Sequence, residues 1–192
     1  MTERTEHSTL AGGDLAGLGL DVSAEHAEVS PQRMREVMGS FGSGVTVVTA
    51  QTPDGPTGFT CQSFTSLSLE PPLITFNPAR SSSTWPRLRE VGSFTVNVLG
   101  AHQDHLSNQF ARSGTDKFAG ISFTRSARGN PRLDDAVAWI DCTLHREYDG
   151  GDHTIVVGRV EALVGFDHLE PLLFVRGGYH AVESARAPAS CV

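Results

Sequence analysis

The chain has 192 residues, 39% of them hydrophobic, which suits one domain with a core of its own. Its 22 acidic against 15 basic side chains leave a net charge of −7 and argue against a nucleic-acid scaffold, which needs a basic face. No apolar run approaches the roughly 20 residues of a membrane-spanning helix.

Residues 1–30 are polar, carry Glu3, Glu6, Asp14, Asp21, Glu25 and Glu28, and lack the apolar core of a signal peptide. A flexible tail over 1–30 and a cytoplasmic location are expected, with a domain over 31–182 and a second tail over 183–192. Ordered structure is expected to begin at SPQRMREVMGSF. Ser30 suits an N-cap, Pro31 the first helical position, and Met34, Val37, Met38 and Phe41 recur at helical spacing. VTVVTA (Val45–Ala50) reads as a β-branched strand, and TPDGP turns the chain into a second strand, making a hairpin. GFTCQSFTSLSLEPPLITFNP alternates Phe64, Ser66 and Ser68 against Thr65, Leu67 and Leu69, which is strand periodicity with small hydroxyls where Val and Ile are usual. Either that face is open to water or something flat and polar lies against it.

LITFN is a further strand. RSSST follows, with Ser83 or Thr84 placed to cap a short helix ending at Gly92. SFTVNVL is a strand, AHQDHLSNQFA a second helix and DKFAG a loop. VAWIDCTLHREY and HTIVVGRVEALVG are long strands joined by DGGD, a turn signal, and LLFVRGGY closes the domain. Six or seven strands joined mostly by tight turns, with two or three short helices, predict an antiparallel barrel rather than a doubly wound sheet.

The chemistry-bearing clusters are sparse. Cys61, Cys142 and Cys191 form no C-x-x-C pair, so neither a disulfide framework nor a zinc site is indicated. His102 and His105 have H-x-x-H spacing without a third ligand nearby, and a solvated helix face is the simpler reading. Glu147, Asp149 and Asp152 sit at a hairpin tip, where acidic side chains are ordinarily solvated. No nucleophile motif supports covalent catalysis. RSSST offers hydroxyls, an Arg and the N–H groups of a helix start, the donors a phosphate needs, although it also serves as a simple serine-rich cap. His153 in GGDHT stands just past a tight turn.

Taken in order, FGSGVTVVTA, GFTCQSFTSLSLEPPL, RSSSTW, FTVNVL, DKFAG, GGDHTIVVG and PLLFVRGGY resemble the short-chain flavin reductases, the NAD(P)H-dependent partners of two-component flavin monooxygenases. The resemblance runs from about Arg33 to Tyr179. It implies an FMN-binding split barrel, a homodimer, reduction of FAD or FMN by NADH, and delivery of reduced flavin to a separate monooxygenase. It places the flavin ring on Thr57, Gly58, Phe59, Thr60, Cys61, Gln62 and Ser63, beside Asn77, Pro78 and Ala79. It places the flavin phosphate at Ser83 and Thr84, with Gln109 and Phe110 also at the cofactor. His153, Phe174, Arg176 and Gly177 match the NADH side. A strand of small residues lets main-chain donors and acceptors approach a flavin edge, which accounts for the hydroxyl-rich stretch. A B6-vitamer oxidase on the same fold and a non-catalytic flavin carrier are the rival readings; a carrier would have no use for His153 or Arg176.

Overall fold

The structure is a computed structural model that describes residues 28–182; the two tails at 1–27 and 183–192, with Cys191, lie outside the described residues. The chain divides at Met38 into two units. In the described part of the first, helix α1 (Pro31–Met38) starts as its sequence predicts, with the Ser30 hydroxyl accepting the Arg33 N–H at 3.1 Å.

The second unit is antiparallel throughout. Strands β1 (Ser43–Gly44), β2 (Thr46–Thr52), β3 (Gly55–Cys61), β4 (Thr65–Leu69) and β5 (Pro72–Phe76) precede helix α2 (Trp85–Val91). Strand β6 (Ser93–Val98), helix α3 (Asp104–Ala111), β7 (Phe123–Arg125), β8 (Pro131–Leu133), β9 (Ala138–Gly150), β10 (His153–Gly165), β11 (Leu172–Val175) and β12 (Gly178–Ala181) follow. A seven-stranded sheet runs β3-β2-β6-β9-β10-β5-β4, beside a three-stranded sheet β1-β11-β12 and the β7-β8 hairpin. It is a split barrel with short peripheral helices, as expected.

Both faces of β2 are buried, and this produces two cores. Val48 and Ala50 join Phe76, Trp85, Leu88, Phe94, Val96 and Val156 on one side. Val45 and Val47 join Leu99, Leu106, Phe110, Leu133 and Leu172 on the other. Each large side chain so buried contributes about 1.5–3 kcal/mol. The long strands β9 and β10 serve two partners each, and they bend through bulges between Val157 and Gly158 and between Val160 and Ala162. Gly158 is required there, because a Cβ would sit 2.9 Å from Phe94 Cζ and 3.0 Å from Ile74 Cδ1.

Three expectations need correction. The structure holds twelve strands among the described residues rather than six or seven. The β7-β8 pair carries no periodicity of its own; Asn97 and Thr49 hold it, with Leu133 N–H donating to Asn97 Oδ1 and Thr49 Oγ1 donating to the Pro131 carbonyl. LLFVRGGY closes the domain as a hairpin, with Arg176 and Gly177 both at positive φ (50° and 81°) between β11 and β12. Thr84 is the N-cap residue of α2, as expected, but its hydroxyl makes no capping hydrogen bond. The Ser82 hydroxyl accepts instead, from the N–H groups of Thr84 and Trp85 at 3.3 and 3.1 Å, while Gly92 ends the helix in the left-handed region as expected. Helix α3 starts late, at Asp104, because the Gln103 side chain folds back to accept the Gly100 N–H. His102 therefore lies outside it, and no cluster of three potential metal ligands occurs among the described residues.

Candidate active site

The end of β3 leads into a turn that is pinned to the end of β5. Ser63 Oγ accepts the Asn77 N–H at 2.8 Å and contacts Cys61 Sγ at 3.3 Å. The β9-β10 hairpin then closes over the same segment. Thr154 N–H donates to the Pro78 carbonyl at 3.0 Å, and Arg80 N–H donates to the Asp152 carbonyl at 2.9 Å. The Arg80 guanidinium also reaches Asp149 at 2.7 Å. The Asp149 carboxyl is held below the usual carboxylate range, first by the Gly151 N–H and then by Arg80.

These three pieces of chain enclose a cleft of about 800 Å³, a volume suited to a cofactor-sized ligand. One wall is Phe59, Thr60, Cys61, Gln62 and Ser63; a second is Asn77, Pro78 and Ala79; His153 stands on the third. The walls suit a flat polar ring. Their side chains are mostly small, so main-chain groups remain reachable, and the Asn77 side-chain carbonyl is buried without a hydrogen-bond partner among the described residues. An orphaned acceptor in a cleft wall calls for a ligand that brings its own N–H, as the flavin edge does. Cys61 is nearly buried, and burial pushes its thiol pKa up, so it meets the cleft as a neutral group.

The family model for the flavin reductase like domain matches residues 38–183, a span that contains every wall of this cleft. The chain belongs to the flavin reductase-like family. It is 44% identical over 155 residues to the reductase subunit of a flavin-dependent monooxygenase from Rhodococcus jostii, covering 81% of this chain and 80% of that one. It is 42% identical over 145 residues to an FMN reductase (NADH) from Agrobacterium fabrum, covering 76% and 82% of the two chains. Among solved structures it superposes on nitrilotriacetate monooxygenase component B from Mycobacterium thermoresistibile with a TM-score of 0.80 at 42% identity, covering 84% of this chain and 92% of that one.

In this flavin reductase-like chain, the remaining expected site residues fall elsewhere. Gly58 is buried, not in the cleft: a Cβ there would lie 2.7 Å from the Val48 carbonyl oxygen and 3.2 Å from Phe110. Phe110 is fully buried and meets Phe118 edge to face at 5.1 Å, supporting β3 from beneath. Gln109 donates from Nε2 to the carbonyls of Lys117 and Ala119, both at 3.0 Å, and so shapes the loop after α3. Thr57, Ser83 and Thr84 line a second, neighbouring pocket of about 440 Å³. Phe174, Arg176 and Gly177 belong to the β11-β12 hairpin and do not line the cleft; Phe174 packs on Tyr179 at 5.2 Å.

Sequence reasoning passed over Ser82, Ala111, Gly150 and Ile155, which complete the cleft. Ser82 and Gly150 lie within the RSSST and GGDHT stretches, whereas Ala111 and Ile155 carry no polar signal. It also passed over Lys117 of DKFAG. The Lys117 ammonium donates to the Gly58 carbonyl at 3.0 Å, and partial burial pulls its pKa down.

Proposed function

We propose that the protein is the NADH-dependent flavin reductase of a two-component system, working in the cytoplasm as a homodimer and handing reduced FAD or FMN to a separate flavin-dependent monooxygenase. The observation that carries this reading is the family match over all three walls of the cleft, together with the short side chains of Thr60, Cys61 and Ser63 and the orphaned Asn77 carbonyl.

Bound in the cleft, a flavin supplies a ring able to accept a hydride from nicotinamide, so the chain's own task is binding and orientation. Thr60 to Ser63 and Asn77 to Ala79 present the ring's edge with main-chain and short polar groups. His153 is 45% exposed at the rim, with Nδ1 2.7 Å from an Asp152 carboxylate oxygen. A carboxylate only accepts, so Nδ1 donates, and the other ring nitrogen is left toward the dinucleotide. No general acid is required for hydride passage. The vitamer-oxidase and carrier readings lose ground to relatives named as reductases.

The dimer reading is supported by the free edge of β4, where Leu69 is 89% exposed, and by exposed Leu67 and Leu163. Mixing the protein with NADH and either flavin under air is the direct test. NADH oxidation that depends on added flavin is expected, and flavin binding without it would leave only a carrier. Light scattering should return twice the 20.5 kDa chain mass.

A further inference from the structure

The β11-β12 hairpin lines no part of the cleft, yet one of its side chains is wired to the cleft wall. Tyr179 of β12 reaches helix α3, where its hydroxyl donates to Ser107 Oγ at 2.9 Å and lies 3.1 Å from Asn108 Oδ1. On the other side of the same residue, the Ser107 carbonyl accepts the Thr60 hydroxyl at 2.6 Å. Thr60 belongs to β3 and faces the cleft. Tyr179, Ser107 and Thr60 thus form one chain of contacts from the hairpin to the ligand wall, linking positions 72 and then 47 residues apart.

Helix α3 is the middle member, and it needs fixing from outside. Its eight residues are too few to hold a helix in water unaided. Leu106 and Phe110 bury it in the second core, but apolar contact is non-directional and leaves a short helix free to turn about its axis. Hydrogen bonds are directional and set that angle. Ser107 is 1% exposed, so its hydroxyl cannot exchange Tyr179 for water. What α3 holds in place is the cleft itself. Ala111, one turn beyond Ser107, lines it. Gln109 donates to the carbonyls of Lys117 and Ala119, and Lys117 in turn donates to the Gly58 carbonyl. A rotation of α3 would move Thr60, Ala111 and the Gly58 peptide together. The Tyr179 ring is anchored separately, on its cross-strand partner Phe174 at 5.2 Å, so the hydroxyl can be removed without removing the packing.

Resting on the flavin reading of the cleft, we infer that Tyr179 is a positioning residue for the flavin. Through Ser107 it sets where α3 holds Thr60, and so the shape of the wall that the ring meets, without itself touching the ligand.

FMN and FAD are titrated by fluorescence into the full chain and into Tyr179→Phe, Ser107→Ala, Thr60→Val, Thr60→Ser and the double variant Tyr179→Phe with Thr60→Val. The absorption band of bound flavin, the KM for NADH and the unfolding midpoint are read alongside. Tyr179→Phe should raise the flavin Kd about fivefold, equivalent to about 1 kcal/mol, and shift the absorption band, with the KM for NADH within about twofold. Ser107→Ala, which keeps the tyrosine whole, should do the same, and Thr60→Ser should bind as the wild type does because it keeps the hydroxyl. The double variant should be no weaker than Thr60→Val alone, since both changes cut one chain; independent effects would instead multiply. Three results would each overturn the inference: a Tyr179→Phe variant with wild-type Kd and spectrum, a lowered unfolding midpoint with flavin binding unchanged, or multiplied effects in the double variant. A wild type that binds neither flavin would instead overturn the proposed function, and this inference with it.

Discussion

Beneath the cleft, Phe76 meets Trp85 and Phe94 edge to face at 5.4 and 5.3 Å, all three buried, with Val48 and Val156 around them. At the rim, the β9-β10 hairpin is docked on Pro78–Arg80 by two main-chain hydrogen bonds and one exposed ion pair, and His153 projects beyond it. The floor is held by close packing, which resists any change of volume; the rim is held by a few polar contacts that water competes for. Damage to the floor should therefore cost stability, and damage to the rim should cost chemistry with the fold intact.

The largest expected effect is at the floor. Phe76→Ala should destabilise by about 3–5 kcal/mol, read from denaturant unfolding. A loss below about 1 kcal/mol would mean the aromatic cluster collapses around the gap and the floor is not a packed unit. Gly58→Ala comes next, at about 2 kcal/mol by the same measurement, because its Cβ would meet the Val48 carbonyl oxygen at 2.7 Å and backbone cannot swing aside as a side chain does.

At the rim, His153→Ala should lower kcat/KM for NADH about tenfold, near 1.4 kcal/mol of transition-state binding, with flavin affinity within about threefold and the unfolding midpoint unchanged. Wild-type kinetics in this variant would make the histidine a bystander. The smallest effect sharpens the comparison through pH. The folded pKa of Asp149 lies below its ordinary value, so its contribution is present above the usual carboxylate range and is lost as pH falls through the folded value. Asp149→Asn should flatten that acid limb of the stability curve and leave the curve near neutral pH nearly unmoved. An acid limb identical in both proteins would show that the hairpin does not need the Gly151 and Arg80 contacts.

Part of the cleft wall was legible because its signal is local. Phe59 to Ser63 open the hydroxyl-rich stretch and Asn77 to Ala79 were implied by the family resemblance, and the structure brings both to one cleft with His153. Ser83 and Thr84 were legible as hydroxyls but not as to which pocket they enter. Lys117 was not legible as a partner of β3, nor Arg87 as a partner of Thr52 and Asp54. Lys117 lies 59 positions from the carbonyl it touches, and Arg87 lies 35 and 33 positions from the groups it reaches.

Strand existence, the DGGD turn, the Ser30 cap and the Gly92 stop follow from the sequence itself, because period-two alternation, turn chemistry and capping act within a few residues. Whether a strand's polar face meets a ligand or water is decided only by what packs opposite. The alternating hydroxyl stretch shows both outcomes. Its first part, up to Ser63, is enclosed by the β5 end and the β9-β10 hairpin, whereas β4 is an exposed sheet edge whose bulge between Ser66 and Ser68 breaks the alternation. Composition barely differs between the two halves; their partners, distant in the chain, make one a cleft wall and the other a sheet edge.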